Sequence, residues 1–239
     1  MGKLSTVQEC VFDVNVELNG VVENLLGIIA DVDGFEEITK LPLTQVPEHV
    51  RKNDPNLKYQ AMYEIRSNIQ TQYKILFGEN TIGMTLNTQG QYTSWTESFF
   101  PEVKRIFSTI LKSKRIKKID RMGLRYIDFI ENDNIFTDGK ISVNINNNDA
   151  CDKKMFLRVE GNDKGVAYVK SVSNNTPYIN FKNTGSVIDI VTAIENKNLI
   201  VDDNLKIEVF FNEINTLHEV HTNKFKEVIN DEYIKQYQI

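Results

Sequence analysis

One stretch constrains the chain more than any other. Residues 94–114, SWTESFFPEVKRIFSTILKSK, set Trp95, Phe99, Val103, Ile106, Phe107, Ile110 and Leu111 along one helical stripe. A helix with so long an apolar face needs a broad apolar surface to lie on, and the flanking segments supply it. Before it, LKYQAMYEIRS, TQYKILFGE and TIGMTLN alternate apolar and polar residues with period two, as strands of an antiparallel meander. After it, KIDRMGLRYIDFIE alternates in the same way. Ser94 and Glu97 form a capping box at the helix start. Pro101 either kinks the helix or marks where its main part begins.

The rest of the chain repeats this theme. VQECVFDVNVEL reads as a first strand with a slip or bulge, and GVVENLLGIIADV as a helix closing at Asp33-Gly34. Leu41 to Pro55 holds three of the five prolines and reads as extended or looped. In the second half KISVNINN, KMFLRVEG, VAYVKSVS and SVIDIVTAIE read as strands, with GNDKG a hairpin turn between the middle two. NIFTDGK and NINNNDACDKK read as loops. A closing helix starts at Asp203 as N-cap, with Ile207, Phe210, Ile214, Leu217, Phe225 and Val228 as its inner stripe. The expected fold class is α+β: mostly antiparallel sheet packed with a central and a C-terminal helix. Residues 1–115 and 116–239 form two halves of strands followed by a helix, expected to make one compact unit. The order of elements suggests pseudo-duplication, although no residue-level self-similarity accompanies it.

Composition narrows the function classes. The chain has 239 residues, 26% of them charged, and a net charge of −5, which offers no global attraction to nucleic acid. Two cysteines, Cys10 and Cys151, without CxxC spacing argue against a disulfide framework or zinc knuckle and fit a reducing cytoplasm. No apolar run is long enough to span a bilayer, and no signal peptide is expected. MGKLST satisfies the loose myristoylation pattern through Gly2 and Thr6, which carries little weight.

Three stretches, QYTSWTESFFPEV, RMGLRYIDFIE and LHEVHTNKFKEVINDEY, together resemble a sporadically distributed family of bacterial proteins of about this length, marked by a GLRY(I/V)N-like strand and an LHE…F…I-T/N-D-E ending. Asp128 stands where that family usually has Asn, and Asn230 where Thr is common. The resemblance implies no particular reaction. Its patchy distribution implies an association with mobile or defence genes, such as a phage-defence or toxin–antitoxin-like operon.

Candidate sites follow from charge. In RMGLRYIDFI, Arg121, Gly123, Arg125, Ile127 and Phe129 share one strand face, and Met122, Leu124, Tyr126 and Asp128 the other. Met122, Leu124 and Tyr126 are expected to face the core, and the apolar end at Phe129 suggests cover there. The two arginines lie roughly 13 Å apart. Gly123 leaves room between them for a carboxylate or phosphate ligand, but cross-strand pairing with acids such as Glu160 or Asp120 is the favoured reading. Upstream, Lys104, Arg105, Lys112, Lys114, Arg115, Lys117 and Lys118 make a basic patch that could complement the helix dipole or hold an acidic protein or nucleic acid. His218 and His221 lack HExxH spacing and a third ligand, and read as structural helix residues. No nucleophile–base set, phosphate loop or dinucleotide fingerprint is legible, so no catalytic residue, metal or cofactor is expected.

The sequence therefore points to a non-catalytic, cytoplasmic protein-binding or adaptor protein. Its binding surface is expected around Arg121, Arg125, Lys112, Lys114, Arg115, Lys117 and Lys118, with another protein or a second copy of itself as partner. The alternative is a metal-dependent nuclease or nucleic-acid-binding protein that uses the 104–118 patch to hold substrate and Asp189 or Glu195 to bind metal.

Overall fold

A computed structural model describes residues 5–32, 34–68, 72–88, 91–146, 148–195, 199–200 and 204–232. The proposed caps Asp33 and Asp203, and Gly2, lie outside them. The first half runs β1 (Val7–Leu18), α1 (Val22–Ala30), β2 (Phe35–Lys40), a 3-10 turn at Pro42–Gln45 and α2 (Glu48–Asn53). It continues through β3 (Tyr63–Ser67), β4 (Tyr73–Phe77), β5 (Thr81–Asn87), a π-helical turn at Trp95–Phe99 and α3 (Phe100–Lys112). The second half opens with β6 (Ile116–Glu131), α4 (Ile135–Asp138) and the two-residue strands β7 (Asn144–Ile145) and β8 (Asn148–Asp149). It closes with β9 (Phe156–Asp163), β10 (Val166–Thr176), β11 (Gly185–Ile194), the short β12 (Leu199–Ile200) and α5 (Asn204–Lys226).

The fold is α+β. One antiparallel sheet has the order β2-β3-β4-β5-β1-β6-β11-β10-β9, and β12 adds a short rung to β6. The topology is two-fold in outline. In each half the first strand, β1 or β6, pairs with the last strand of the meander that follows it, β5 or β11. The two first strands then pair with each other at the centre of the sheet. Each half ends in a long helix, α3 or α5, and these two meet over that central pair.

Alternation fixes which face they cover. Cys10, Phe12 and Val14 of β1 and Met122, Leu124 and Tyr126 of β6 are all buried, as their spacing predicts. Over them α3 lays Val103, Ile106, Phe107 and Ile110, and α5 lays Phe210, Ile214 and Leu217. Phe12 is the junction: its ring sits 5.0 Å from Phe107 and 6.0 Å from Phe210, edge-on to both. A second cluster, including Ile130, Val172, Ile188, Ile190, Phe225 and Val228, fills the far end beneath the last turn of α5.

Local chemistry explains the ends of these elements. Ser94 accepts a hydrogen bond from the backbone N–H of Glu97 at 3.2 Å, one half of the expected capping box. The α-helix proper begins after the π turn, with Pro101 in its first turn where no donor is lost. The β9–β10 hairpin turns through Lys164 (φ 52°) and Gly165 (φ 82°), the left-handed pair that a two-residue turn requires. β1 is irregular as its pattern suggests, with register shifts against β6 between Val7 and Glu9 and again beyond Asn15.

Three local expectations need correction. The proline-rich stretch is not all loop: Pro42 and Pro47 sit at helix starts, where a missing N–H costs nothing, and so favour a 3-10 turn and α2. KISVNINN does not join the main sheet; only Asn144–Ile145 is strand, in a separate hairpin with Asn148–Asp149. NIFTDGK carries the short helix α4, capped by the Asn134 side chain, which accepts from the N–H of Phe136.

Replacing Phe12 by Ala removes the ring that ties both long helices to the sheet and leaves a cavity. Chemical denaturation is expected to show a loss of about 3–5 kcal/mol, whereas a change below about 1 kcal/mol is expected for truncating the exposed Val21.

Candidate functional site

The arginine face is closed by its own acids. A guanidinium N–H of Arg121 donates to Asp13 of the neighbouring β1, and its Nε donates to Glu195 at 3.1 Å. A Cβ on Gly123 would stand 2.7 Å from both the Arg121 guanidinium and the Asp13 carboxylate. The room left by that glycine is thus filled by the ion pair. Arg125 grips Asp189 in two parallel bonds of 2.8 and 2.7 Å. Cross-strand pairing is therefore what the arginines do, but with Asp13, Glu195 and Asp189. The acids expected for them go elsewhere: Asp120 pairs with Lys118 and Glu160 with Arg158. Phe129 is covered as its apolar surroundings suggest, by Tyr178 stacked at 5.1 Å and Phe181 at 4.5 Å.

The basic patch divides in two. Arg105 pairs with Glu102, Lys117 with Glu17 and Lys118 with Asp120, while the Lys104 ammonium lies over the ring of Phe211. Lys112, Lys114 and Arg115 are exposed at the tip between α3 and β6, with no ion pair among the described residues. That tip is held by its backbone. Lys114 takes a left-handed conformation (φ 58°), and the Asn19 side chain and backbone N–H donate to the carbonyls of Lys114 and Arg115 at 3.2 and 2.7 Å.

A third feature lies on the helix-covered side, at the other end of the central strands. A cavity of about 340 Å³ opens between β6, the segment leading into α3, and α5. Tyr126 and Asp128 come from β6. Tyr92, Thr93, Ser94, Trp95 and Thr96 come from the approach to α3. His218, His221, Thr222 and Phe225 come from one face of α5, spaced as a helix dictates, and Val7 closes the start of β1.

The rings order one another. Trp95 lies between Phe100 at 4.9 Å and His218 at 4.3 Å, nearly parallel to both, and its indole N–H donates to Asn215 at 3.3 Å. Tyr92 and Tyr126 meet edge to face at 5.9 Å, and their hydroxyls lie 3.2 Å apart. Burial pushes both phenols well above their ordinary range and likewise the thiol of Cys10, which stands against Tyr126 as an inert core residue.

Among the described residues, the electrostatics of the cavity are set by burial without counter-charge. Asp128 is 3% exposed, and burial pushes its pKa up to about 7. Thr6 donates to its Oδ1 at 2.7 Å, the one hydrogen bond the carboxyl receives among the described residues. Desolvation lowers His218 to about 4, and burial with the neighbouring His218 lowers His221 to about 3. Both imidazoles are neutral at pH 7, and the Nε2 of His221 is buried without a hydrogen-bond partner among the described residues. The histidines are packed helix residues, as read, but they also line a site. Among the described residues no three His, Cys, Asp or Glu side chains group to hold a metal ion.

Residue typing overlooked Tyr92, Trp95, Tyr126 and Asp128 as a set, because alternation and helical periodicity account for each of them singly. The available signal was the trio of stretches QYTSWTESFFPEV, RMGLRYIDFIE and LHEVHTNKF, since all three supply walls of this one cavity. Comparison with protein-family models, curated proteins and solved structures finds no match for the chain.

The buried acid has a signed consequence for stability. Its folded pKa is raised, so the folded state holds the proton and loses stability as pH climbs from the usual carboxylate value towards 7. Asp128→Asn keeps an acceptor for Thr6 without the charge. It is expected to stabilise the protein by about 2–4 kcal/mol at pH 8 and by almost nothing at pH 4, read from denaturation at both pH values. The histidines work in the opposite direction, because their neutral folded forms lose stability as pH falls below about 6.5.

Proposed function

We propose that the protein acts by binding another protein, without catalysis, through the basic tip between α3 and β6. The observation that carries this reading is the exposed trio Lys112, Lys114 and Arg115, which has no ion pair among the described residues while neighbouring cations are paired. The tip backbone is fixed by Asn19, so binding loses less conformational entropy than a free loop would. Three cations on a fixed turn favour a partner with an acidic surface, steered by charge and sensitive to salt. A metal-dependent nuclease is less well supported, because both oxygens of Asp189 are engaged by Arg125 and Glu195 is bonded to Arg121.

The test begins by cross-linking the full chain in its native host and identifying its partner by mass spectrometry. Affinity for that purified partner is then measured with the wild-type chain and with Lys112→Glu, Lys114→Glu, Arg115→Glu combined. The partner is expected to present an acidic patch, and the triple variant to bind at least about tenfold more weakly at low salt, with much of the difference screened at high salt. Equal affinity of the two proteins, or cleavage of nucleic acid by the purified protein with Mg²⁺ or Mn²⁺, would overturn the reading.

A further inference from the structure

We infer that the cavity between β6 and α5 is a binding site for a small organic ammonium ion, with Asp128 as its counter-charge and Tyr92 and Tyr126 as its aromatic walls. This site is separate from the basic tip and does not depend on the protein-binding role.

Three observations converge on it. First, Asp128 is a buried carboxyl facing a cavity with no lysine or arginine among the described residues of its lining. A lone carboxylate in such a place is costly unless something supplies the opposite charge, which no described residue of the lining provides. The neighbouring histidines do not serve, because burial keeps both neutral at pH 7. Second, Tyr92 and Tyr126, edge to face at 5.9 Å and 85°, both line the cavity and make its wall aromatic beside the acid. The negative face of an aromatic ring attracts a cation, and the attraction grows where water is excluded. Third, the Nε2 of His221, on the same lining, is buried without a hydrogen-bond partner among the described residues. Buried polar atoms without a partner are uncommon, and this one belongs to a side chain that lines the cavity.

Size and polarity fit the same class. About 340 Å³ is at the small end of ligand pockets. It suits an amine carrying a compact apolar body, which Val7 and Phe225 would contact. An anion is disfavoured by Asp128 and finds no cationic side chain among the described residues of the lining. A neutral molecule of the same shape would leave the carboxyl without a counter-charge. On binding, the ammonium favours the ionised form of Asp128, so a buried acid becomes an ion pair flanked by hydroxyls.

The protein carries its own reporter, since Trp95 is the only tryptophan in the chain and lines the cavity. The experiment titrates the full-length protein at pH 8 with benzylammonium and with benzyl alcohol, its neutral counterpart, and follows tryptophan fluorescence and heat release. Benzylammonium is expected to give a saturable change and to bind at least about tenfold more tightly than benzyl alcohol. Asp128→Asn, shown to be folded by its circular dichroism and cooperative melting, is expected to lose that preference. Equal binding of the two probes, an unaltered preference in Asp128→Asn, or no saturable signal with benzylammonium up to millimolar concentration would each overturn the proposal. If the variant does not fold, the comparison of the two probes on the wild-type protein decides alone.

Discussion

The antiparallel pairing of β1 with β6 is the contact on which the rest of this structure rests. Each of these strands opens one half of the chain, and each receives the last strand of its own meander on its outer side. Their pairing merges the two meanders into one sheet and sets a shared inner face of Phe12, Val14, Met122 and Leu124 beneath both long helices. A shift of one residue in this register would turn those side chains to the outer face and bring Asp13, Arg121 and Arg125 beneath α3 and α5. The charged outer face opposes that slip. Asp13 reaches Arg121 only in the observed β1–β6 pairing, and Asp189 reaches Arg125 only in the matching register of β11 against β6. With Arg125 42% exposed, such pairs add little to stability but penalise the wrong register.

The same strands also create the cavity. Near Val7 the β1 ladder shifts against β6, between the partners Asp128 and Ile127. Thr6 there bonds the Asp128 carboxyl, and the turn entering α3 comes down beside it with Tyr92 and Trp95. The last turns of α5 complete the enclosure with His218, His221 and Phe225. Groups with strong polar demands thereby end up under apolar cover. This arrangement is expensive for folding alone, and that cost is the physical ground for reading the cavity as a site rather than a packing defect.

Much of this was legible from pattern. The stripe on α3 and the alternation of β6 identified the sheet, the two covering helices and the buried face, because periodicity records which side of an element meets the core. The sequence was less informative where partners come from far along the chain. It suggested that Arg121 and Arg125 pair across strands, yet Asp13 is over a hundred residues from Arg121, and no local rule selects it over Asp120. Short elements were missed for a different reason: α2 and α4 span one turn or so, and prolines at helix starts look the same as prolines in loops. The cavity was hidden because Trp95, Tyr126 and His221 each satisfy a bland reading. Only their convergence in space distinguishes them.

Among the described residues, the end of the β1–β6 pair buries an acid without a counter-charge. Carboxyl-resolved ¹³C NMR of the full chain, with Asp128 assigned by comparison with Asp128→Asn, measures this directly. A titration midpoint near 7, moving downward when benzylammonium is present, is the expected result. A midpoint near the ordinary aspartate value of about 4, unchanged by the amine, would contradict the account.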